Sequence, residues 1–206
     1  MKSHIIVSRL FYENEQDLKD RLPVFKETAL KSLSEQEDQD FDIAVLCKPE
    51  HRELVKIHPR IIPFFSDKEK IKMLKNNGSF FQWEDVYGLE KYDIQTNVDS
   101  DDTVSPIFTA KIQEVMADKD HITHIHFQPL LKDYQTGEVK QMKMRYSDSF
   151  QSMCYSLYQP NKDNYIFIEQ DSHTTFGKYA EESILIPEGY CWMNIHGKND
   201  CSTMKL

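Results

Sequence analysis

Apolar residues follow two rhythms along this chain, and the rhythm changes near the middle. In the first half, short apolar runs alternate with stretches of helical spacing. A buried strand is predicted over 3–9, around His4-Ile5-Ile6-Val7. A helical segment over 14–34 follows. In it Leu18, Leu22, Phe25, Ala29 and Leu33 recur at steps of four, three, four and four, which places them on one face. Pro23 should kink that helix or restart it at a first-turn position. The acidic run 34–40 reads as a loop, and 41–47 as a second buried strand stopped by Lys48-Pro49. A short helix over 50–57 leads to a third strand over 61–65. Ser66 or Asp67 then caps a helix to about Asn76. An aromatic loop with Phe80, Phe81, Trp83 and Tyr87 precedes a fourth strand over 92–98.

Four strands separated by helices, with short connections, predict a mostly parallel sheet covered on both faces, an α/β architecture. Ser105 and Pro106 read as cap and first turn of the next helix, with Phe108, Ile112, Val115 and Met116 as its buried stripe. Beyond it the pattern turns to strand-like runs at 121–127, 139–145, 164–169, 184–187 and 190–195, with one short helical piece near 176–182. These predict antiparallel strands extending the same sheet.

Composition narrows the partners. The chain has 206 residues, 39% hydrophobic and 29% charged, enough for one sizeable core. It carries a net charge of −9 and no large Lys/Arg cluster, which argues against nucleic acid as a partner. Cys47, Cys154, Cys191 and Cys201 form no CxxC pair or zinc spacing, and read as reduced thiols in a reducing, cytoplasmic setting. No signal peptide and no span of about 20 apolar residues is evident.

The chemistry concentrates after the fourth strand, where Asp99, Asp101 and Asp102 fall within four positions. Ligands of open α/β sheets bind outside the carboxyl ends of strands. A D-x-D pair there suits Mg²⁺ or Mn²⁺, which take hard oxygen ligands and leave positions for phosphate oxygens. Three metal motifs compete. An EF-hand counted from Asp99 would need Gly and Glu where Val104 and Ala110 stand. A haloacid-dehalogenase-type phosphatase matches Asp99-Ser100-Asp101-Asp102-Thr103 by letter, but expects its Asp after the first core strand and a later acidic pair. A nucleotide-sugar transferase of the GT-A type expects several strand–helix units, then DxD, then a mixed second half, and that order is present. His124 and His126 share a strand face, as a pair of metal ligands would, but lack a neighbouring carboxylate or thiol to complete a set.

Four segments, in order, give a more specific resemblance. They are Val7-Ser8-Arg9-Leu10-Phe11-Tyr12; 25–33 with Gln36 and Asp40-Phe41; Thr96-Asn97-Val98-Asp99-Ser100-Asp101-Asp102; and Trp192-Met193-Asn194-Ile195-His196-Gly197-Lys198-Asn199. Together the chain resembles the rhamnosyltransferase family of GT-A-like glycosyltransferases, with bacterial and large-DNA-virus members. One departure is Asn97, where the family usually has Arg.

The resemblance implies one GT-A-like domain over 1–206, a mixed but mostly parallel sheet flanked by helices. Residues 1–104 would form its nucleotide-binding half and 105–206 its acceptor side, with further domains able to follow. It implies a hexosyltransferase that moves a sugar from a UDP- or dTDP-linked donor to a hydroxyl of a glycan. Mn²⁺ or Mg²⁺ would be held by Asp99, Asp101 and His196. Arg9, Asp99, Ser100, Asp101 and Asp102 would meet the donor. Asp148 and Asp171 are the candidates for the base that deprotonates the acceptor, with His173 beside the second. A phosphatase using the DxDxT-like segment and a non-catalytic carbohydrate- or metal-binding domain remain the alternatives.

Overall fold

The computed structural model describes residues 1–12, 14–65, 91–141, 154–161 and 176–195. The strand at 164–169, the helix from Ser66 or Asp67 to Asn76, the aromatic loop with Phe80, Phe81, Trp83 and Tyr87, and Cys201 lie outside these residues. So do the candidates Asp148, Asp171, His173 and His196.

The first half follows its apolar rhythm. Strands β1 (His4–Arg9), β2 (Asp42–Cys47), β3 (Ile61–Phe65) and β4 (Ile94–Asn97) are parallel neighbours in the order β4-β1-β2-β3. The chain therefore leaves β1 in one direction to build β2 and β3, then returns to lay β4 on its other side. That reversal opens a crevice outside the carboxyl ends of β1 and β4. Residues on both sheet faces are buried: Ile6, Val45 and Ile94 on one, Ile5, Val7, Ala44 and Leu46 alternating with them on the other.

The predicted 14–34 helix forms as one continuous helical run that Pro23 neither ends nor restarts. It consists of α1 (Glu15–Phe25), a π turn (Lys26–Leu30) and α2 (Lys31–Ser34). Asn14 caps it, its side chain accepting the Asp17 N–H at 2.8 Å. Pro23 cannot donate a backbone hydrogen bond, a defect worth about 3 kcal/mol in a helix interior. Burial of Leu18, Leu22, Phe25, Ala29 and Leu33 against the sheet offsets it. The extra residue of backbone in the π turn begins three positions later. Between β2 and β3 stand a 3₁₀ turn (Pro49–His51) and α3 (Arg52–Val55).

The second half departs from a simple extension of one sheet. After β5 (Thr103–Val104) and α4 (Phe108–Met116) come β6 (Thr123–Phe127), β7 (Leu130–Asp133), β8 (Val139–Gln141), β9 (Tyr155–Tyr158), a 3₁₀ turn (Phe176–Tyr179), β10 (Glu182–Ile186) and β11 (Cys191–Ile195). Among the described residues the large sheet has seven strands in the order β10-β6-β9-β4-β1-β2-β3, and β9 is inserted antiparallel to both β4 and β6. β10 is parallel to β6. A second, four-stranded sheet runs β5-β11-β7-β8. β9 escapes the sequence pattern because all four of its residues are buried, Ser156 included, so it shows no alternation. Its register is fixed by a polar chain instead. Thr96 and Ser156, directly opposite one another, share a 2.7 Å hydrogen bond, and His4 Nε2 lies 2.7 Å from Thr96 Oγ1.

Ser105 does not cap the following helix, contrary to expectation. Its hydroxyl is buried, and helix α4 starts three residues later. The cap comes from far along the chain: Gln36 Oε1 accepts the Thr109 N–H at 3.0 Å and lies 3.1 Å from the Thr109 hydroxyl, while Gln36 Nε2 donates to Ser105 O at 2.7 Å. A long-range side chain thus meets the orphan amide that a local serine was expected to satisfy. Phe108, Ile112 and Met116 are fully buried, with Val115 at the margin.

Two predictions follow from the buried polar groups. Gln36→Leu should cost about 1–3 kcal/mol in urea denaturation, because it strands an amide and a carbonyl inside the fold. Burial pushes His4 and His124 down to about 3, the second with help from His126, and His126 itself to about 4, against an ordinary 6.5. Protons therefore favour the unfolded chain below pH 6.5. Stability should fall progressively as pH drops from there through 4 towards 3. Denaturation midpoints that stay level across that window would contradict the burial of these rings.

Candidate functional site

The acidic segment lies where the switch in strand order opens the sheet. Strand β4 ends at Asn97, and the chain is tied to β1 one residue later: Val98 N–H donates to Val7 O at 3.0 Å and Ser8 Oγ–H to Val98 O at 2.7 Å. Asp99 to Asp102 then form a turn closed by Asp102 N–H on Asp99 O at 3.0 Å. Arg9 ends β1 at the same sheet edge.

Two groups of side chains grip this turn. One is a polar row on the long helical run, each residue one position ahead of its buried stripe, Arg21, Thr28 and Ser32, continued by Gln36 just beyond the run's end at Ser34. Arg21 Nη2 lies 2.6 Å from Asp101 Oδ2, and its Nε donates to Ser100 Oγ at 3.4 Å. The Thr28 hydroxyl, in the π turn, is within reach of Val24 O at 2.6 Å and Ser100 O at 3.3 Å. Ser32 Oγ accepts the Val104 N–H at 3.2 Å, and Gln36 holds Ser105 O as described. On the other side, β11 pairs with β5 so that Asn194 comes opposite the turn. Its Nδ2 donates to Asp101 O and to Thr103 Oγ1, both at 2.6 Å.

The carboxylates differ in setting. Asp99 is half-buried and accepts from Asn97 Nδ2 at 3.1 Å, so Asn97 supports the cluster with an amide. Asp101 is 7% exposed and paired with Arg21. Asp102 is 4% exposed and its Oδ2 has no hydrogen-bond partner among the described residues. Burial, then the charges of Asp99 and Asp101 and the Cys191 thiol, push the Asp102 carboxyl well above its ordinary value, against a weaker pull from the Asn194 N–H. A buried carboxylate oxygen without a donor among the described residues fits a hard cation. Among the described residues, however, no three acidic, His or Cys side chains converge as a ready ligand set.

The structure thus gathers Asp99, Ser100, Asp101 and Asp102 in one turn and ends Arg9's strand at the same edge. His124 and His126 lie apart as an edge-to-face pair, the first buried and the second half-buried, with ring centroids 3.8 Å apart. Arg21, Thr28, Ser32 and Asn194 were not anticipated as site residues. The first three share helical spacing with the apolar stripe, but nothing in the spacing says what the row faces.

Asp102→Asn should stabilise the cation-free protein near neutral pH, because the amide removes a charge that burial and two neighbours disfavour. Asp102 contributes its stability below the ordinary carboxylate range and loses it as pH rises through its raised value. The gap between variant and parent should therefore narrow on acidification in thermal melts. A parent more stable than the variant at neutral pH would refute this ordering.

Comparison with known proteins places the architecture. Residues 1–349 of Staphylococcus aureus TarS in complex with UDP-GlcNAc match with a TM-score of 0.55 at 16% identity, over 100% of this chain and 62% of that one. The TarS complex with UDP gives 0.53 at 15% identity, over 96% and 61%. A "Putative Glucose-1-Phosphate Thymidylyltransferase" of Bacillus anthracis in complex with a sucrose gives 0.50 at 14% identity, over 91% and 87%. These likenesses concern the fold, which is GT-A-like, and the chain spans about 62% of the TarS fragment. No curated protein sequence matches. The family described as "Putative rhamnosyl transferase" matches residues 6–205, nearly end to end, and the chain belongs to that family.

Proposed function

We propose that this protein is a metal-dependent glycosyltransferase that moves a sugar from a nucleotide-diphosphate donor to a hydroxyl of a glycan acceptor. The family name suggests rhamnose as the sugar, and UDP or dTDP is the proposed leaving group. The observation that carries this reading is the buried acidic turn after β4, at the switch point of a sheet whose fold is shared with TarS in complex with UDP-GlcNAc. Family membership weighs against the phosphatase and non-catalytic alternatives.

In this reading Asp99 and Asp101 hold Mn²⁺ or Mg²⁺, with His196 as a further ligand. Arg9, Ser100 and Asp102 face the donor. The cation, when bound, would stabilise charge on the departing diphosphate. The protein's own part is orientation. Asn97 holds the Asp99 carboxylate, Asn194 and Thr28 fix the backbone of Asp101 and Ser100, and β1 is fastened to the turn through Ser8. A rigid turn keeps the carboxylates in place without reorganisation during transfer. Asp148 and Asp171 remain the candidates for the acceptor base. Residues 1–104 would serve the donor and 105–206 the acceptor. Among the described residues no helix is long and apolar enough to cross a membrane.

Calorimetry with UDP, with and without Mn²⁺, tests this. Parent protein should bind UDP more tightly with Mn²⁺ present, and Asp99→Ala and Asp101→Ala should each lose that enhancement by about tenfold or more while keeping the parent circular dichroism spectrum. Unchanged Mn²⁺-dependent UDP affinity in both variants would remove the acidic turn from the site.

A further inference from the structure

A basic side chain already occupies the acidic turn. Arg21 projects from α1 to place Nη2 at 2.6 Å from Asp101 Oδ2 and Nε at 3.4 Å from Ser100 Oγ. Both partners are largely withdrawn from water, the side chains of Arg21 and Asp101 being 16% and 11% exposed. In that setting a guanidinium is a strong counter-charge, much less screened than a surface pair. Meanwhile, among the described residues, Asp102 keeps a buried oxygen without a hydrogen-bond partner in the same turn, and no acidic, His or Cys side chains converge with it as a set of three ligands. The arrangement is therefore the one stabilised by Arg21.

We infer that Arg21 is a built-in counter-cation that holds Asp101 in the cation-free protein and must yield it when a divalent cation binds. A dication sharing Asp101 Oδ2 would sit within a few ångströms of a fixed positive charge, which weakens its binding. Arg21 is thus a positioning residue that lowers cation affinity. It ties the entry of the cation to release of α1's grip on the turn, because the same guanidinium also holds Ser100. The guanidinium keeps its charge at every accessible pH, so only exchange of partners can relieve the conflict.

This inference rests on the cation-binding part of the proposed function, and the two can fail separately. The test is titration of the full chain with Mn²⁺ alone, read by calorimetry and by the electron paramagnetic resonance signal of free Mn²⁺. Arg21→Gln should bind Mn²⁺ about tenfold more tightly than the parent, since a competing charge is removed. It should also melt at a lower temperature without metal and recover more of that loss than the parent when Mn²⁺ is added. Arg21→Lys keeps the charge but not the forked reach. It should bind Mn²⁺ between the two, and it carries the test if the Gln variant does not fold. A merely structural role for Arg21 would lower Mn²⁺ affinity in both variants. Equal or weaker binding than the parent overturns the inference while leaving the transferase reading to UDP binding by the parent protein. Absence of Mn²⁺ binding in parent and variants alike overturns the inference together with the metal dependence, and UDP binding without metal would then show whether the donor site survives.

Discussion

Three carboxylates in one turn, two of them almost wholly removed from water, set the terms for everything around them. Two like charges at roughly 4 Å repel by about 4 kcal/mol at an effective dielectric constant of about 20, a large share of the net stability of an ordinary domain. The fold tolerates Asp99, Asp101 and Asp102 because each is treated differently. Asp99 stays half in water and takes an amide, Asp101 takes a guanidinium, and Asp102 is held so deep that its proton is favoured. A cation bridging to a diphosphate would relieve that crowding.

Holding the turn in so costly a form requires support from both sides. The long helical run supplies it through Arg21, Thr28 and Ser32, with Gln36 just past its end, and together they follow the chain from Ser100 to Ser105 like a rail. The π turn sits in the middle of that rail, and π turns are frequent where a helix serves a site. Opposite it, β11 brings Asn194 against Asp101 and Thr103. The small second sheet thus does more than enlarge the protein. Through β5 and β11 it closes the acidic turn from the side that the large sheet leaves open.

Much of this frame could be read along the chain. The strands at 3–9, 41–47, 61–65 and 92–98 and the helical stripe from Leu18 to Leu33 appear where their periodicity placed them, because a sheet buried on both faces and a helix lying on it each impose a repeat on the residues they bury. The acidic turn after β4 was legible for a different reason: crowded carboxylates are expensive, so their presence after a strand points to a ligand. β9 was not legible. Tyr155-Ser156-Leu157-Tyr158 has no alternation, and its place between β4 and β6 depends on partners some 30 and 60 residues away along the chain, as the Thr96–Ser156 bond does.

Sequence alone therefore settled the strands of the first half, their mostly parallel arrangement and the location of the charged turn, all of which follow from local periodicity and local charge density. Tertiary structure decided what that charge meets. Arg21 is 80 residues from Asp101 along the chain, Asn194 is 93 and Gln36 is 73 from the helix it caps. No local pattern encodes such pairings, because a side chain's partner is set by which strands the sheet lays side by side. The same physics made Ser105 look like a cap and made Gln36 the real one: a buried amide must find an acceptor, and the nearest acceptor in space need not be the nearest in the chain.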